Sequence, residues 1–378
     1  MSSSPSPLHG QLHAVHVLGE TARSHVASVA AGLVARGVQV TVCGPGEAEE
    51  RYGFGAAGAR FAPVEIARRW RPRADAAVVT ALRAACAGAD VVHAHGLRSG
   101  LLATMALSGR RTPLVVTWHG AVPAEGARGR ALRMLERRVT RVAAVVLGAS
   151  SDLVDRARAA GARDARLGPV GVPAPPRTAP SAETVAEAER RREKTRNEFA
   201  VGQRPLLLAA GRLEPSKGYH LLLDAAHGWA GLDPAPLLLI AGEGAQRAEL
   251  QERIDAERLP VRLLGRRDDV PELLAAADVV VLPSRWEARP LIAHEALHAG
   301  VPLVATAVGG TAELVGEAAV LVPYGNPKTL ADAVTRLLAD PARRQTLAAA
   351  GPVQAATWPT EDDTVAQVLA IYDELTSG

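Results

Sequence analysis

The sequence predicts an α/β protein built from two doubly wound domains, and three observations carry that prediction. Short, continuously apolar β-like runs alternate with longer helix-like stretches, the pattern of parallel strands covered by helices on both faces. At 378 residues the chain is too long for one ordinary core. The strand–helix rhythm pauses once, at a Pro-rich and then charge-rich segment from Gly171 to Phe199.

Before the pause the strands read LHAVHVL, VQVTVCG, DVVHAHG, PLVVTWHG and AAVVLGAS. HVASVAAGLVARG, between the first two, has helical spacing, and its Gly37 suits a C-cap. After the pause they read PLLLAAGRL, PLLLIAGEG, VRLLGRR, DVVVLPS, PLVATAVGG and AVLVPYG. The expected division is a first domain over 1–172, a linker with a solvated helix over 173–200 and a second domain over 201–357. A final amphipathic helix from about Glu361, within 358–378, is expected to cross back onto the first domain. In the linker helix Arg190, Arg191 and Arg192 read as an exposed, charge-laced face. Ligands of doubly wound sheets sit beyond the carboxyl ends of the strands, so two such domains facing each other would form a central cleft.

Bulk properties exclude several function classes. Basic and acidic residues nearly cancel, 43 against 40, which is too little positive charge for a nucleic-acid binder. Cys43 and Cys86 are the only cysteines, so neither a disulfide framework nor metal-ligand spacing is present, and no metal site is expected. No Asp-x-Asp element follows a strand; the adjacent Asp268 and Asp269 read as a helix N-cap. MSSSPSPLHG lacks a basic n-region and an apolar core, and no apolar run approaches the ~20 residues of a membrane span. The expected location is the cytoplasm. Residues 59–73 combine Arg60, Arg68, Arg69, Arg71 and Arg73 with Phe61 and Trp70, and read either as a solvated loop or as a peripheral contact with an anionic membrane.

The chemistry concentrates in SRWEARPLIAHEALHAG, residues 284–300. Glu287 falls in a strand-to-helix turn, and Pro290 fits the first helical position, where its missing N–H costs nothing. Glu295 lies ~7–8 Å further along the helix, at 1.5 Å per residue. Two carboxylates so spaced can hold two sets of hydroxyls, and the free N–H groups of the first turn suit a phosphate between them. Taken alone, an amphipathic helix with one acid near its start explains the stretch as well. It is not alone. In AAGRLEPSKGYHLLLDAA, Arg212 and Lys217 flank a Pro-Ser turn and can neutralise a diphosphate, although a surface loop is the plainer alternative. Gly-Glu-Gly at 242–244 and Gly309-Gly310 mark two further strand-to-helix turns, either tight connections or anion nests.

Together these pieces resemble the retaining glycosyltransferases of the group-1 type, nucleotide-sugar-dependent enzymes with the GT-B fold. The resemblance rests on Gly-Arg-Leu-(x)3-Lys-Gly at 211–218, Gly-Glu-Gly at 242–244, Pro-Ser at 283–284, Glu-(x)7-Glu at 287–295 and Ala-Gly-Val-Pro at 299–302. It covers Pro205 to Pro323 closely and the first half more loosely. It implies sugar transfer from a nucleotide-diphosphate donor to an acceptor hydroxyl with retention of configuration, without cofactor or metal. It implies further that Arg212 and Lys217 bind the donor diphosphate, with Gly211, Gly242 and Gly244 in the donor loops. Glu287 would meet the donor sugar, Glu295 the ribose, and Ala288, Arg289, Pro290 and Leu291 would offer backbone N–H groups or side chains. The base would lie near 263–267, which includes Arg266.

In the first half, TWHG places His119 at a strand end, where the family has a histidine near donor sugar and acceptor. His93 and His95 also end a strand; alternation is expected to send one to the core, and His95 to the cleft. The family's paired-glycine loop after the first strand is rewritten here as VLGETARSHV, where only Gly19 remains and Arg23, Ser24 or His25 could act in its place. The acceptor stays open: a small metabolite, a lipid or a glycan. The rival readings are a sugar-nucleotide epimerase of the same fold and a non-catalytic sugar-nucleotide-binding partner protein.

Overall fold

The computed structural model describes residues 11–19, 23–67, 71–121, 126–168, 171 and 185–377. The chain forms two compact units: Met1–Gly171 with Pro359–Gly378, and Val172–Trp358. Each is built on one wholly parallel sheet with helices against it, the doubly wound pattern that the apolar runs predict.

In the first unit the strands are β1 (His13–Val17), β2 (Gln39–Gly44), β3 (Arg60–Pro63), β4 (Val91–His95), β5 (Leu114–Trp118), β6 (Val145–Gly148) and β7 (Ala165–Leu167). Their spatial order is β3-β2-β1-β4-β5-β6-β7. The chain returns for one more element of this unit, the helix Glu361–Thr376. Thr360 caps it, accepting from the Asp363 N–H while the Asp363 carboxylate accepts from the Thr360 N–H. The helix lays Val365, Val368, Ile371 and Tyr372 into the core beside Val26, Val29 and Leu33.

In the second unit β8 (Leu206–Ala210), β9 (Leu237–Ala241), β10 (Val261–Gly265), β11 (Val279–Leu282), β12 (Leu303–Thr306) and β13 (Val320–Val322) run in the order β10-β9-β8-β11-β12-β13. Alternation along β8 and β9 sends Leu207, Leu238 and Ile240 into one apolar layer with Leu222 and Trp229. Leu206, Leu208 and Leu239 enter the other, with Ile292 and Leu297.

The helix expected to be a solvated linker is Val185–Glu198, and it docks on the second unit. Arg192 donates to Asp278 (2.6 Å) and to the Ala275 carbonyl, and Arg196 reaches the same carboxylate at 3.2 Å. Asp278 also accepts from the Leu206 N–H that opens β8. Arg192 and Arg196 therefore fasten the helix through one half-buried acid, while most of its other residues stay exposed. The linker proper, 172–184, lies outside the described residues.

Of the basic–aromatic patch at 59–73, Arg68, Arg69 and Trp70 lie outside the described residues. Phe61 is partly buried, packs against the core of the first unit and stacks on the buried Phe54 at 5.9 Å. Among the described residues no helix is long and apolar enough to cross a membrane.

Candidate active site

Parallel strands bring all their following loops to one edge of the sheet. In the second unit that edge gathers the loops after β8, β9, β10, β11 and β12, which carry Arg212 and Lys217, Gly242 to Gly244, Arg266, Glu287 and Gly309–Gly310. The loops interlock. Gly211 donates to the Ala241 carbonyl, Gly242 to that of Gly265 and Leu213 to that of Glu243. A Cβ on Gly242 would stand 1.9 Å from the Gly211 carbonyl oxygen, so glycine is what lets these two loops lie side by side.

The centre of the edge is Glu287. It is 8 % exposed, and its Oε1 accepts from Lys217 Nζ at 2.5 Å and from Ser284 Oγ at 2.7 Å. A buried carboxylate needs such partners, because desolvation without them is costly. Two backbone contacts hold the pair. Arg285 N–H donates to the Ser216 carbonyl (2.9 Å), joining the β8 loop to the β11 loop, and Gly310 N–H donates to the Glu287 carbonyl (2.8 Å). Gly218 has φ +71°, and a Cβ there would sit 2.0 Å from the Pro283 carbonyl oxygen. Burial, and then the Glu287 charge, push the Tyr219 hydroxyl well above its ordinary range, so it stays a neutral neighbour.

The remaining predicted residues divide. Arg212 does not join Lys217 on Glu287: its side chain is 63 % exposed and pairs with Glu214 at 3.0 Å, the nearest acid along the loop. Arg266 is likewise exposed and pairs with Asp268 at 3.2 Å. Asp269 does hold the N-cap position of the next helix, but Arg267 occupies its carboxylate and no side-chain cap forms. Pro290 is the cap residue, with φ −70° and ψ 120°, and Leu291 opens the helix Leu291–His298, one residue later than the proline rule predicts. Ala288 is buried and Leu291 is exposed. Burial lowers the pKa of the Arg289 guanidinium, opposed by the Glu313 charge. Burial raises that of the Glu295 carboxyl.

In the first unit the strand ends gather histidines. His119 follows β5, His95 closes β4, and His25 lies on the helix Arg23–Ala35 with its ring edge-on to His119 at 5.5 Å. Gly19 packs against the same strand end: a Cβ there would be 2.2 Å from the His95 carbonyl oxygen. Arg23 donates to the Gly19 carbonyl at 3.2 Å and pairs with Glu47 at 2.6 Å, so its guanidinium is engaged in holding this loop. Glu20, Thr21 and Ala22 lie outside the described residues.

The expected split between His93 and His95 does not occur. Residues two apart in a strand share a face; both rings are buried, stacked at 4.4 Å. His95 is 1 % exposed with both ring nitrogens bonded, to His16 and to His119, which places it in the interior. The sequence offers no linear metal-ligand spacing, yet three histidines meet in space. His16, His93 and His95 bring one nitrogen each within 4.8 Å of one another. Linear spacing hides this, because the ligands come from neighbouring strands in register, His16 opposite His93.

Burial keeps these rings neutral. It lowers His16 and His119 to about 3 and His25 to about 4, and drives His93 and His95 well below the ordinary value. The unfolded chain therefore binds protons on these histidines that the folded chain refuses. Stability from this cluster is complete above ~6.5 and falls as pH drops toward 3–4, each group costing up to about 1.4 kcal/mol per pH unit. The unfolding temperature is expected to fall between pH 7.5 and 5.5, with proton uptake on unfolding at pH 5.5 by calorimetry. An unfolding temperature flat across that range refutes the assignment.

Comparison with known proteins places this arrangement. Residues 190–354 match the family model described as glycosyl transferases group 1, and residues 21–173 match that of the glycosyl transferase 4-like domain. The chain is 31 % identical to D-inositol 3-phosphate glycosyltransferase 1 of Catenulispora acidiphila, over 84 % of this chain and 79 % of the relative. It is 32 % identical to alpha-D-kanosaminyltransferase of Streptomyces kanamyceticus over 59 % of this chain, and spans 58 % of that relative's length. In fold it is similar to Anabaena HepE, solved in complex with UDP, with a TM-score of 0.77 and 19 % identity, covering 96 % of this chain and all of that one. The chain belongs to the group 1 glycosyltransferase family.

Proposed function

We propose that the protein is a retaining, metal-independent hexosyl- or related glycosyltransferase that moves a sugar from a nucleotide-diphosphate donor to an acceptor hydroxyl. The second unit takes the donor and the first the acceptor. The observation that carries the reading is the Lys217–Glu287–Ser284 cluster at the carboxyl edge of the second sheet. Without ligand the ammonium and the carboxylate satisfy each other. On donor binding Lys217 turns to the diphosphate and Glu287 accepts from sugar hydroxyls, so neither the half-buried ammonium nor the buried carboxylate is left unpartnered. In the transfer the bond from the anomeric carbon to the phosphate oxygen breaks, the acceptor oxygen bonds that carbon on the same face, and the acceptor proton passes to the departing phosphate. Lys217, the exposed Arg212 and the N–H groups at Leu291 and Ile292 offset the charge that develops there.

Glu295 is assigned the ribose hydroxyls. Glu295→Ala is expected to weaken donor binding about 10- to 100-fold, the range for hydrogen bonds to a charged group, with turnover at saturating donor near normal. The function itself is tested by thermal shift of the full chain against nucleotide sugars, since a bound donor raises stability by mass action. The stabilising donor is then incubated with an acceptor panel, and the product's anomeric configuration read by NMR. Stabilisation by no nucleotide sugar, or an inverted product, defeats the corresponding part of the reading. An isomerised donor formed without acceptor indicates an epimerase.

A further inference from the structure

The buried His93, His16 and His95 and the partly buried His119 form one unbroken hydrogen-bonded chain in the first unit. Thr117 Oγ1 meets His93 Nε2 at 2.6 Å, and His93 Nδ1 meets the Tyr372 hydroxyl at 2.7 Å. That hydroxyl meets His16 Nε2 at 3.1 Å, His16 Nδ1 meets His95 Nε2 at 3.1 Å, and His95 Nδ1 meets His119 Nε2 at 3.2 Å. We propose that this chain is a tautomer lock, in which Thr117 and Tyr372 act as positioning residues that present His119 to the substrate as a neutral Nδ1–H donor.

The reasoning is one of donor and acceptor order. A neutral imidazole has one N–H and one lone pair, so fixing one ring fixes the next. Two orders satisfy every contact with Tyr372 relaying a hydrogen; a third, in which Tyr372 accepts from both His93 and His16, leaves the hydroxyl hydrogen of this fully buried residue unpaired and fails on that cost. In the first, Thr117 donates to His93 Nε2 and each later link runs the same way, so His93, His16, His95 and His119 all carry hydrogen on Nδ1. In the second, His119 Nε2–H donates toward His95, every bond reverses, and all four rings carry hydrogen on Nε2. The orders differ at the closed end. Thr117 is 2 % exposed and has no second side-chain partner among the described residues, so the second order leaves its hydroxyl hydrogen unpaired in the core. A buried unpaired donor is costly; the first order therefore prevails. The same closed end rules out through-conduction, because a proton pushed in at His119 has no exit at Thr117.

The neutrality this requires agrees with the burial that depresses all four rings. All six ring nitrogens of His16, His93 and His95 are already used in the chain, so their closeness needs no ion to explain it. The catalytic meaning rests on the proposed function: His119 would donate a hydrogen bond to a sugar or acceptor oxygen and would not serve as the base.

The test is spectroscopic and needs no substrate, so it stands or falls apart from the glycosyltransfer assay. Long-range proton–nitrogen spectra of the full chain, labelled with ring 15N-histidine and assigned by single histidine substitutions, are expected to show Nδ1–H at all four rings at pH 7.5. In Thr117→Val each order leaves one nitrogen of His93 unpaired, so the two approach equal weight. All four rings should then shift together toward the mixed value, and Thr117→Ser should restore them. With Tyr372→Phe in place the chain is cut, and Thr117→Val should move His93 alone. Nε2–H or a charged ring in the wild-type protein, a response confined to His93 when Tyr372 is present, or coupling that survives Tyr372→Phe overturns the lock. So does zinc chloride that raises the unfolding temperature through these rings, since a bound ion would displace the hydrogens.

Discussion

Lys217→Ala is expected to lower kcat by on the order of 100- to 1,000-fold, the scale on which one preorganised stabilising group acts on a developing charge. The effect arises from two losses. The ammonium that neutralises the departing diphosphate is gone, and Glu287, 8 % exposed, is left with Ser284 as its remaining side-chain partner among the described residues. Glu287→Ala should reach a similar loss by the opposite route, stranding the Lys217 ammonium. Because the two groups act as a unit, the double variant should be little worse than either single one, and that non-additivity is the sharper measurement. Near-normal turnover in both single variants would remove the pair from the mechanism, and Arg212→Ala offers the control. Its exposed guanidinium pairs only locally, with Glu214, so its loss should be the smaller one.

Gly218→Ala is expected to cost about 2–3 kcal/mol of stability and most of the activity. The residue sits at φ +71°, where any side chain is strained, and the added Cβ would meet the Pro283 carbonyl oxygen at 2.0 Å. Backbone on both sides must move. The displaced segments carry Lys217 on one side and Ser284 and Glu287 on the other, so the injury reaches the ion pair without touching either partner. At a sensitivity of about 2–4 °C per kcal/mol for a domain of this size, the unfolding temperature should fall by several degrees. Gly37→Ala is the comparison: it shares positive φ but meets nothing within 4 Å, so it should show strain without the loss of activity.

The sheets were legible because each central strand is an uninterrupted apolar run, and in parallel sheets that run has one reading. The donor-side loops were legible because glycine and charge recur at the turn after each strand, and topology sends all such turns to one edge. What stayed hidden is what pairs across the sheet. Nothing local announces that Arg212 faces solvent while Lys217 turns onto Glu287. The histidine chain was hidden for the same reason. His16 and His93 are neighbours by strand register, and Tyr372 reaches them from 356 and 279 residues away in sequence. The sequence itself carries only the two-residue spacing of His93 and His95, and period-two geometry requires that they share a face.

The helix Glu361–Thr376 has a consequence for synthesis. Domains ordinarily fold as they leave the ribosome, the first before the second. Here the amino-terminal unit lacks Val365, Val368, Ile371 and Tyr372 until the whole second unit and the helix after it have been made. The later-translated body can therefore mature while the earlier one waits, with an open apolar seam along Val26, Val29 and Leu33. Nascent chains stalled before residue 360 should be the form that chaperones hold and proteases clip.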